Sequence, residues 1–353
     1  MSFNHLRDNI LSYVILIFMT KKRALVTGIT GQDGSYLAEL LLKKGYEVAG
    51  IVRKTSHEDY ANIGHIQDNL KLYQGDLLDP VSLREIIQKV EPDEVYNLAS
   101  QSHPSESFKQ PIHTAEITAI GAHRVLDATL DVNPKTKFYQ ASSSEMFGWV
   151  REIPQTEETP FNPANPYAAA KLYAHAMTRI YRKSYNMFAV NGILFNHESP
   201  RRHLGFVTQK VTYAAACAKL GIKNSTHLNE EGEPIVKGGK VALGNLEAKR
   251  DWGFAGDFVE AMYLMMQHDS ADDFVVATGE THSIEELCIE AFNLVGENWK
   301  DYVLVDKRFV RPTETGPLVG DPKKAKKILG WKPKTSFKEL VSLMVNAHIA
   351  RLK

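Results

Sequence analysis

Cysteine is almost missing from this chain of 353 residues: only Cys217 and Cys288 occur. Each lies in a helical-looking apolar pattern, away from any CxxC or Cys/His spacing, so neither a disulfide framework nor a metal site is expected. Packed thiols fit a reducing compartment, and the expected location is cytoplasmic. An excess of one charge is also lacking, since Lys+Arg and Asp+Glu both number 42. No long basic run or basic stripe with interleaved aromatics occurs, which excludes the usual electrostatic footprint of a nucleic-acid binder. Spanning hydrophobic runs are missing too. The strongly apolar stretch Ile10 to Met19 is too short to cross a bilayer, and no small-residue cleavage site follows it to make a signal peptide. The favoured reading takes Met19 as the natural start and residues 1–18 as an upstream extension of the reading frame, within an N-terminal segment 1–20 expected to be non-native or disordered. Internal repeats and low-complexity tracts are absent as well.

What is present is a rhythm. From Arg23, short apolar runs alternate with amphipathic ones: Ala24 to Thr27, Ser35 to Lys44, Val48 to Val52, Val81 to Val90, Glu94 to Leu98, Ala119 to Asp131 and Phe138 to Ala141. This βαβ periodicity predicts an α/β fold with a doubly wound, Rossmann-type parallel sheet covered on both faces. A long helix over Tyr167 to Tyr185 and a strand over Ala189 to Leu194 continue it. The length favours two domains, or one with a substantial cap. Residues 21–195 are expected to form the first, and 196–353 a smaller, mixed substrate-binding domain. Asp257 to Gln267 and Phe274 to Ala277 nevertheless read as returning to the sheet, whereas Phe206 to Leu220 and Ser283 to Val295 read as cap helices. The charged stretch Asn224 to Lys240 is left without an account.

Thr27-Gly28-Ile29-Thr30-Gly31-Gln32-Asp33-Gly34 joins the first strand to the first helix. Its glycines permit a tight turn and close backbone approach, and the helix N-terminus offers N–H groups to a pyrophosphate. A dinucleotide with a ribose 2′-hydroxyl is held by an acid at the end of the second strand; a 2′-phosphate needs a base there. This chain has Arg53-Lys54 and no acid, which favours NADP, the alternative being that Arg53 is a solvated strand-end charge. Asp76, following the Lys71 to Gln74 strand, is placed to accept from an adenine amino group or to serve as a turn residue.

Ser142-Ser143-Ser144-Glu145 closes the Phe138 to Ala141 strand, and Tyr167-Ala-Ala-Ala-Lys171 follows. Strand alternation would send Ser143 and Glu145 to one side, and the four-residue spacing puts Tyr167 and Lys171 on one helix face. Where these converge, a phenol, an ammonium, a hydroxyl and a carboxylate surround one small molecule. For Tyr167 to act as a base near neutrality its pKa must fall by about three units, roughly 4 kcal/mol, with Lys171 and a positive nicotinamide ring as sources. Glu145 has the alternative reading of a helix-start acid.

These residues resemble the extended short-chain dehydrogenase/reductase family, and within it the branch that dehydrates GDP-mannose. The likeness runs from Arg23 to the C-terminus through Thr27 to Leu37, Asn97 to His103, Ser142 to Gly148, Asn196 to Arg202, Leu243 to Gly253 and Arg311 to Glu314. It implies Ser143, Glu145, Tyr167 and Lys171 as catalytic residues. It assigns Gly28, Thr30, Gly31, Gln32, Asp33, Arg53, Asp76, Leu77, Leu98, Ala99, Ser100, Ser102, Lys171, His197 and Arg202 to the cofactor. Ser102, Asn196, Lys210, Arg250, Arg311 and Glu314 fall to the GDP-sugar, and a homotetramer built from dimers is implied. Glu145 separates this branch from epimerases, which keep Ser, Tyr and Lys without the carboxylate. With no neighbouring aspartate, one carboxylate serves both proton transfers. Ser143 stands where threonine is usual, His113 where a tyrosine is common, and Ala99 in place of a glycine. The competing readings are a nucleotide-sugar 4-epimerase, a 4,6-dehydratase for another nucleotide, or a non-catalytic NADP-binding regulator. A side reduction of the keto product is a further possibility.

Overall fold

Buried on both faces, the apolar strands satisfy their backbone groups only by pairing with one another, and the result is a seven-stranded, wholly parallel sheet. The computed structural model describes residues 21–54, 60–310 and 316–353; the expectation for the N-terminal extension lies outside them. The sheet strands are β1 (Arg23–Thr27), β2 (Glu47–Val52), β3 (Leu70–Gln74), β4 (Glu94–Asn97), β5 (Lys137–Ser143), β6 (Ala189–Leu194) and, later in the chain, β12 (Asp273–Val276). Their order is β3-β2-β1-β4-β5-β6-β12.

Alternation along each strand feeds two cores. Ala24 and Val26 of β1 and Tyr139 and Ala141 of β5 pack beneath α1 (Gln32–Lys43) and α6 (Ala255–Gln267). Leu25 and Phe138 point the other way, toward α2 (Pro80–Val90) and α3 (Gly121–Val132). Each fully buried side chain of this size contributes about 1.5–3 kcal/mol. α2 starts where Asp79 accepts from Val81 N and Ser82 N ahead of Pro80. α4 (Pro166–Ser184) lies on the α3 face, and the cap helices α5 (Val207–Leu220), α7 (Ile284–Asn293) and α8 (Phe337–Leu352) share a separate core. That core also takes in the sheet β14-β9-β8 (Val303–Val305, Lys240–Leu243, Val236–Lys237). Two short pairs join sheet to cap: β7 (Asn196–Glu198) with β11 (Trp252–Phe254), and β10 (Lys249–Arg250) with β13 (His282–Ser283).

Strand order reverses between β1 and β4, so the chain leaves their C-terminal ends in opposite directions and opens a crevice. Thr27 fixes its floor: its hydroxyl donates to Asn97 Oδ1 at 2.7 Å and accepts from Leu98 N and Ala99 N, each at 3.0 Å. Gly34 is held so closely that an added Cβ would lie 2.2 Å from the Gly28 carbonyl oxygen. Gly34→Ala should therefore destabilise the fold by about 1–3 kcal/mol, read from urea midpoints; an unchanged midpoint would mean that the turn tolerates the methyl group.

Candidate active site

The first turn could hold an anion. Gly28 adopts φ +69°, a region open to glycine, and Gly31 caps α1 without any side-chain hydrogen bond to its N-terminus. Gln32 and Asp33 are engaged by the start of the cap. Gln32 Nε2 donates to the His197 carbonyl at 3.1 Å, its Oε1 accepts from Ser199 Oγ at 2.9 Å, and Asp33 Oδ2 faces His197 Nε2 at 2.8 Å. His197 Nδ1 lies 2.7 Å from the Phe195 carbonyl, so both ring nitrogens must donate and the imidazole is charged. Burial works against ionising Asp33, but the His197 charge outweighs it and lowers the carboxyl to about 2. Burial likewise opposes charging His197, and Asp33 overcomes it to raise that pKa.

Arg53 and Lys54 are exposed at the end of β2, next to β1 in the sheet. One Asp76 oxygen accepts from Leu78 N at 2.9 Å, the turn reading of that residue. Leu77 is buried against Gly121, where an added Cβ would come within 2.9 Å. Leu98, Ala99 and Ser100 line the β4 exit half-buried, while Ser102 and His113 are exposed.

At the β5 exit the structure brings all four expected catalytic side chains together. β5 ends at Ser143, and Glu145 lies in a 3₁₀ turn over Ser144–Phe147, so strand alternation is not what aligns the two. The turn does it: Ser143 Oγ accepts from Glu145 N at 3.2 Å. Ser143 lies close enough to lower the Tyr167 phenol's pKa, and Lys171 Nζ lies 5.8 Å from the Tyr167 ring centre while donating to the Ala141 carbonyl at 2.8 Å. Glu145 is 6 % exposed and Lys171 4 %. Burial pushes the Tyr167 phenol up to about 12, partly offset by Ser143, and drops Lys171 to about 8 against the pull of Asp33. The protein alone therefore moves tyrosine away from neutrality, opposite to what a preformed base requires.

Two supporting residues escaped the sequence reading. Asn165 Oδ1 caps α4 by accepting from Ala168 N at 2.8 Å, and its Nδ2 donates to Glu145 Oε2 at 3.0 Å. Asn-Pro ahead of a helical run was the available signal. His175, two turns beyond Tyr167, lies with Nδ1 3.0 Å from Ser142 Oγ, which in turn donates to Asn191 Oδ1 at 3.2 Å. Burial lowers His175 to about 4 despite nearby Asp273, leaving it neutral and donating through Nδ1. Only the fold places it there.

On the cap side, Asn196 opens β7 beside Trp252. Arg202 stacks 3.6 Å from the Phe206 ring centre with Nε 3.4 Å from Glu198, and Arg201 folds back onto Tyr36 and Glu39 of α1. Lys210 projects from α5 to Glu230, and Arg250 pairs with His282 across β10 and β13. Arg311 and Glu314 lie outside the described residues.

Sheet order and the clustered Ser143, Tyr167 and Lys171 define a protein of the extended short-chain dehydrogenase/reductase class. Its fold is shared with the UDP-glucose 4-epimerase of Thermus thermophilus solved with NAD (TM-score 0.78, 25% identity, 92% of this chain and 98% of that one). The same holds for RMD from Pseudomonas aeruginosa solved with NADPH (TM-score 0.76, 23% identity, 94% and 100%). The family model for GDP-mannose 4,6 dehydratase matches residues 25–344. Curated relatives of that name include one from Arabidopsis thaliana, 49% identical over 96% of this chain and 92% of its own length. Others are from Homo sapiens (47%; 94% and 92%) and Vibrio cholerae (45%; 94% and 94%). The chain belongs to the GDP-mannose 4,6-dehydratase family.

The Asp33–His197 pair predicts a two-sided pH response. Asp33's contribution is complete above the ordinary carboxylate pKa and is lost as pH falls through about 2. His197's contribution is complete below the ordinary imidazole value and is lost as pH rises through its elevated pKa. Urea midpoints across pH should thus decline on the alkaline side, and Asp33→Asn should flatten that decline; an identical slope in the variant would show that the pair carries no such linkage.

Proposed function

We propose that this protein converts GDP-α-D-mannose to GDP-4-dehydro-6-deoxy-D-mannose and water through Ser143, Glu145, Tyr167 and Lys171, with NADP as resident cofactor. The observation that carries the reading is a buried carboxylate, Glu145, held by Asn165 beside the serine and tyrosine of an oxidoreductase cluster. Family membership supports the substrate. The glycine turn, the open N-terminus of α1 and the β1/β4 crevice fit a dinucleotide. A nicotinamide bound there supplies the acceptor, and later the donor, of one hydride.

Tyr167 takes the proton of the C4 hydroxyl, with Ser143 hydrogen-bonding the same oxygen. Burial alone holds the phenol at about 12, so Tyr167 can accept this proton only as the phenolate, which the Lys171 ammonium and the positive ring of a bound nicotinamide would stabilise. The C4 ketone acidifies the C5 hydrogen. Glu145 removes it, then gives that proton to the departing C6 hydroxyl, and water leaves. With one hydride given back at C6, Glu145 delivers a proton to C5, while Tyr167 releases to solvent the proton it took from the C4 oxygen, which stays a ketone, so one proton leaves the substrate and one enters. No external reductant is consumed.

Arg53 and Lys54 support a 2′-phosphate, hence NADP over NAD. Asn196, Lys210, Arg250, Arg311 and Glu314 are proposed for the GDP moiety. A cytoplasmic homotetramer completes the reading; two buried free thiols support a reducing compartment, and the Asn196 to Arg202 resemblance supports the assembly. Among the described residues no helix is long and apolar enough to cross a membrane.

Incubation with GDP-mannose and NADP⁺ should yield a product lighter by one water in mass spectrometry, and an unchanged mass would sink the proposal. Glu145→Gln should cut dehydration by about 10²–10⁴-fold while C4 oxidation persists, seen as stoichiometric cofactor reduction in a single turnover. Arg53→Ala should reduce the preference for NADP⁺ over NAD⁺ by roughly ten- to a hundredfold, measured as the ratio of kcat/KM values.

A further inference from the structure

The charged stretch that sequence patterning could not account for ends in a defined structure. A bridge between Leu228 and Pro234 closes a hairpin, and Asn229 organises its tip, with Oδ1 accepting from Glu231 N and Glu233 N at 3.0 Å each. Ile235 and Val236 anchor its return arm in the cap core. Two carboxylates of the hairpin are paired, one at the surface and one with a buried ammonium. Glu233 meets Arg308 at 3.2 Å, and Glu230 meets Lys210 Nζ at 2.5 Å.

The second pair is unequal. The Lys210 side chain is only 7% exposed and Nζ sits 4.9 Å from the Phe309 ring centre, whereas the Glu230 side chain is 43% exposed. A buried ammonium cannot be left alone without a large desolvation cost, while a solvated carboxylate on a hairpin leaves cheaply. Glu230 also lies near enough to act electrostatically on His103, in the loop after β4, so the tip borders the crevice side of the cap.

We infer that Glu230 is the resident counter-ion of an anion subsite centred on Lys210, and that the diphosphate of a nucleoside-diphosphate sugar binds by displacing it. This deepens the reading that gives Lys210 to the GDP moiety, and it rests on that reading. The ammonium stays where it is; only its partner changes, from a carboxylate that is present in the free protein to a phosphate oxygen. Glu230 thereby sets the affinity for ligands that carry the diphosphate and leaves untouched those that lack it.

Calorimetric titration of the full chain with GDP and with guanosine tests this. Glu230→Gln should tighten GDP binding roughly fivefold, the size of a partly solvated ion pair, and leave guanosine binding unchanged. The variant should also melt below wild type without ligand and draw level at saturating GDP, whereas a merely structural hairpin residue would lower both melting temperatures. Glu230→Ala repeats the test should the glutamine fail to fold. If neither variant tightens GDP while Lys210→Met weakens it, the counter-ion role is overturned and the nucleotide role of Lys210 stands. If Lys210→Met leaves GDP affinity unchanged, the subsite itself is overturned. Dehydration of GDP-mannose by the wild type is scored separately, so loss of the catalytic reading is distinguishable from either result.

Discussion

The attachment of α4 to β5 is the constraint on which the site depends. Tyr167 and Lys171 ride on the helix, Ser143 and Glu145 on the strand end, and neither pair means anything chemically without the other. Three polar contacts lock the two elements together: Asn165 to Glu145 at the top, Lys171 to the Ala141 carbonyl one turn below, and His175 to Ser142 beneath that. All are largely buried, where a hydrogen bond specifies position and an orphaned partner is expensive. Asn165 is the most economical of them, since one side chain starts the helix and orients the carboxylate.

Charge in this molecule is paired before any ligand arrives. Asp33 and His197 neutralise each other between the phosphate turn and the cap, and Glu230 neutralises Lys210 on the cap itself. The first pair joins the two halves across the crevice and is nearly enclosed; the second is solvated on one side. Position decides their fates: an enclosed pair holds geometry, and a half-open pair can exchange partners. Tyr167 belongs to the same logic, because its burial holds the phenol neutral until chemistry demands otherwise.

Much of the fold was legible in the chain. Each of the first strands and helices was readable because a doubly wound sheet imposes short apolar runs separated by amphipathic helices, and the observed ends differ by few residues: Arg23–Thr27 against Ala24 to Thr27, Pro166–Ser184 against Tyr167 to Tyr185. The return of Asp273–Val276 to the sheet edge was also visible. The alignment of Ser143 with Glu145 was expected for the wrong reason, alternation, when a 3₁₀ turn capped by Ser143 produces it. The burial that raises Tyr167 in the protein alone was not legible, since burial is a property of the packed helix and not of its spacing.

By itself the sequence determined the sheet, the phosphate turn, and the identity of the four groups at the β5 exit, because periodicity and glycine placement are local and a long run of matching residues carries its family with it. Tertiary structure alone decided which charges meet. That Asp33 faces His197, that His175 reaches Ser142, and that a hairpin carboxylate rests on Lys210 depend on contacts between residues far apart in the chain. No local pattern encodes them, for they are settled by how the cap closes over the sheet and by the cost of leaving any buried polar group without a partner.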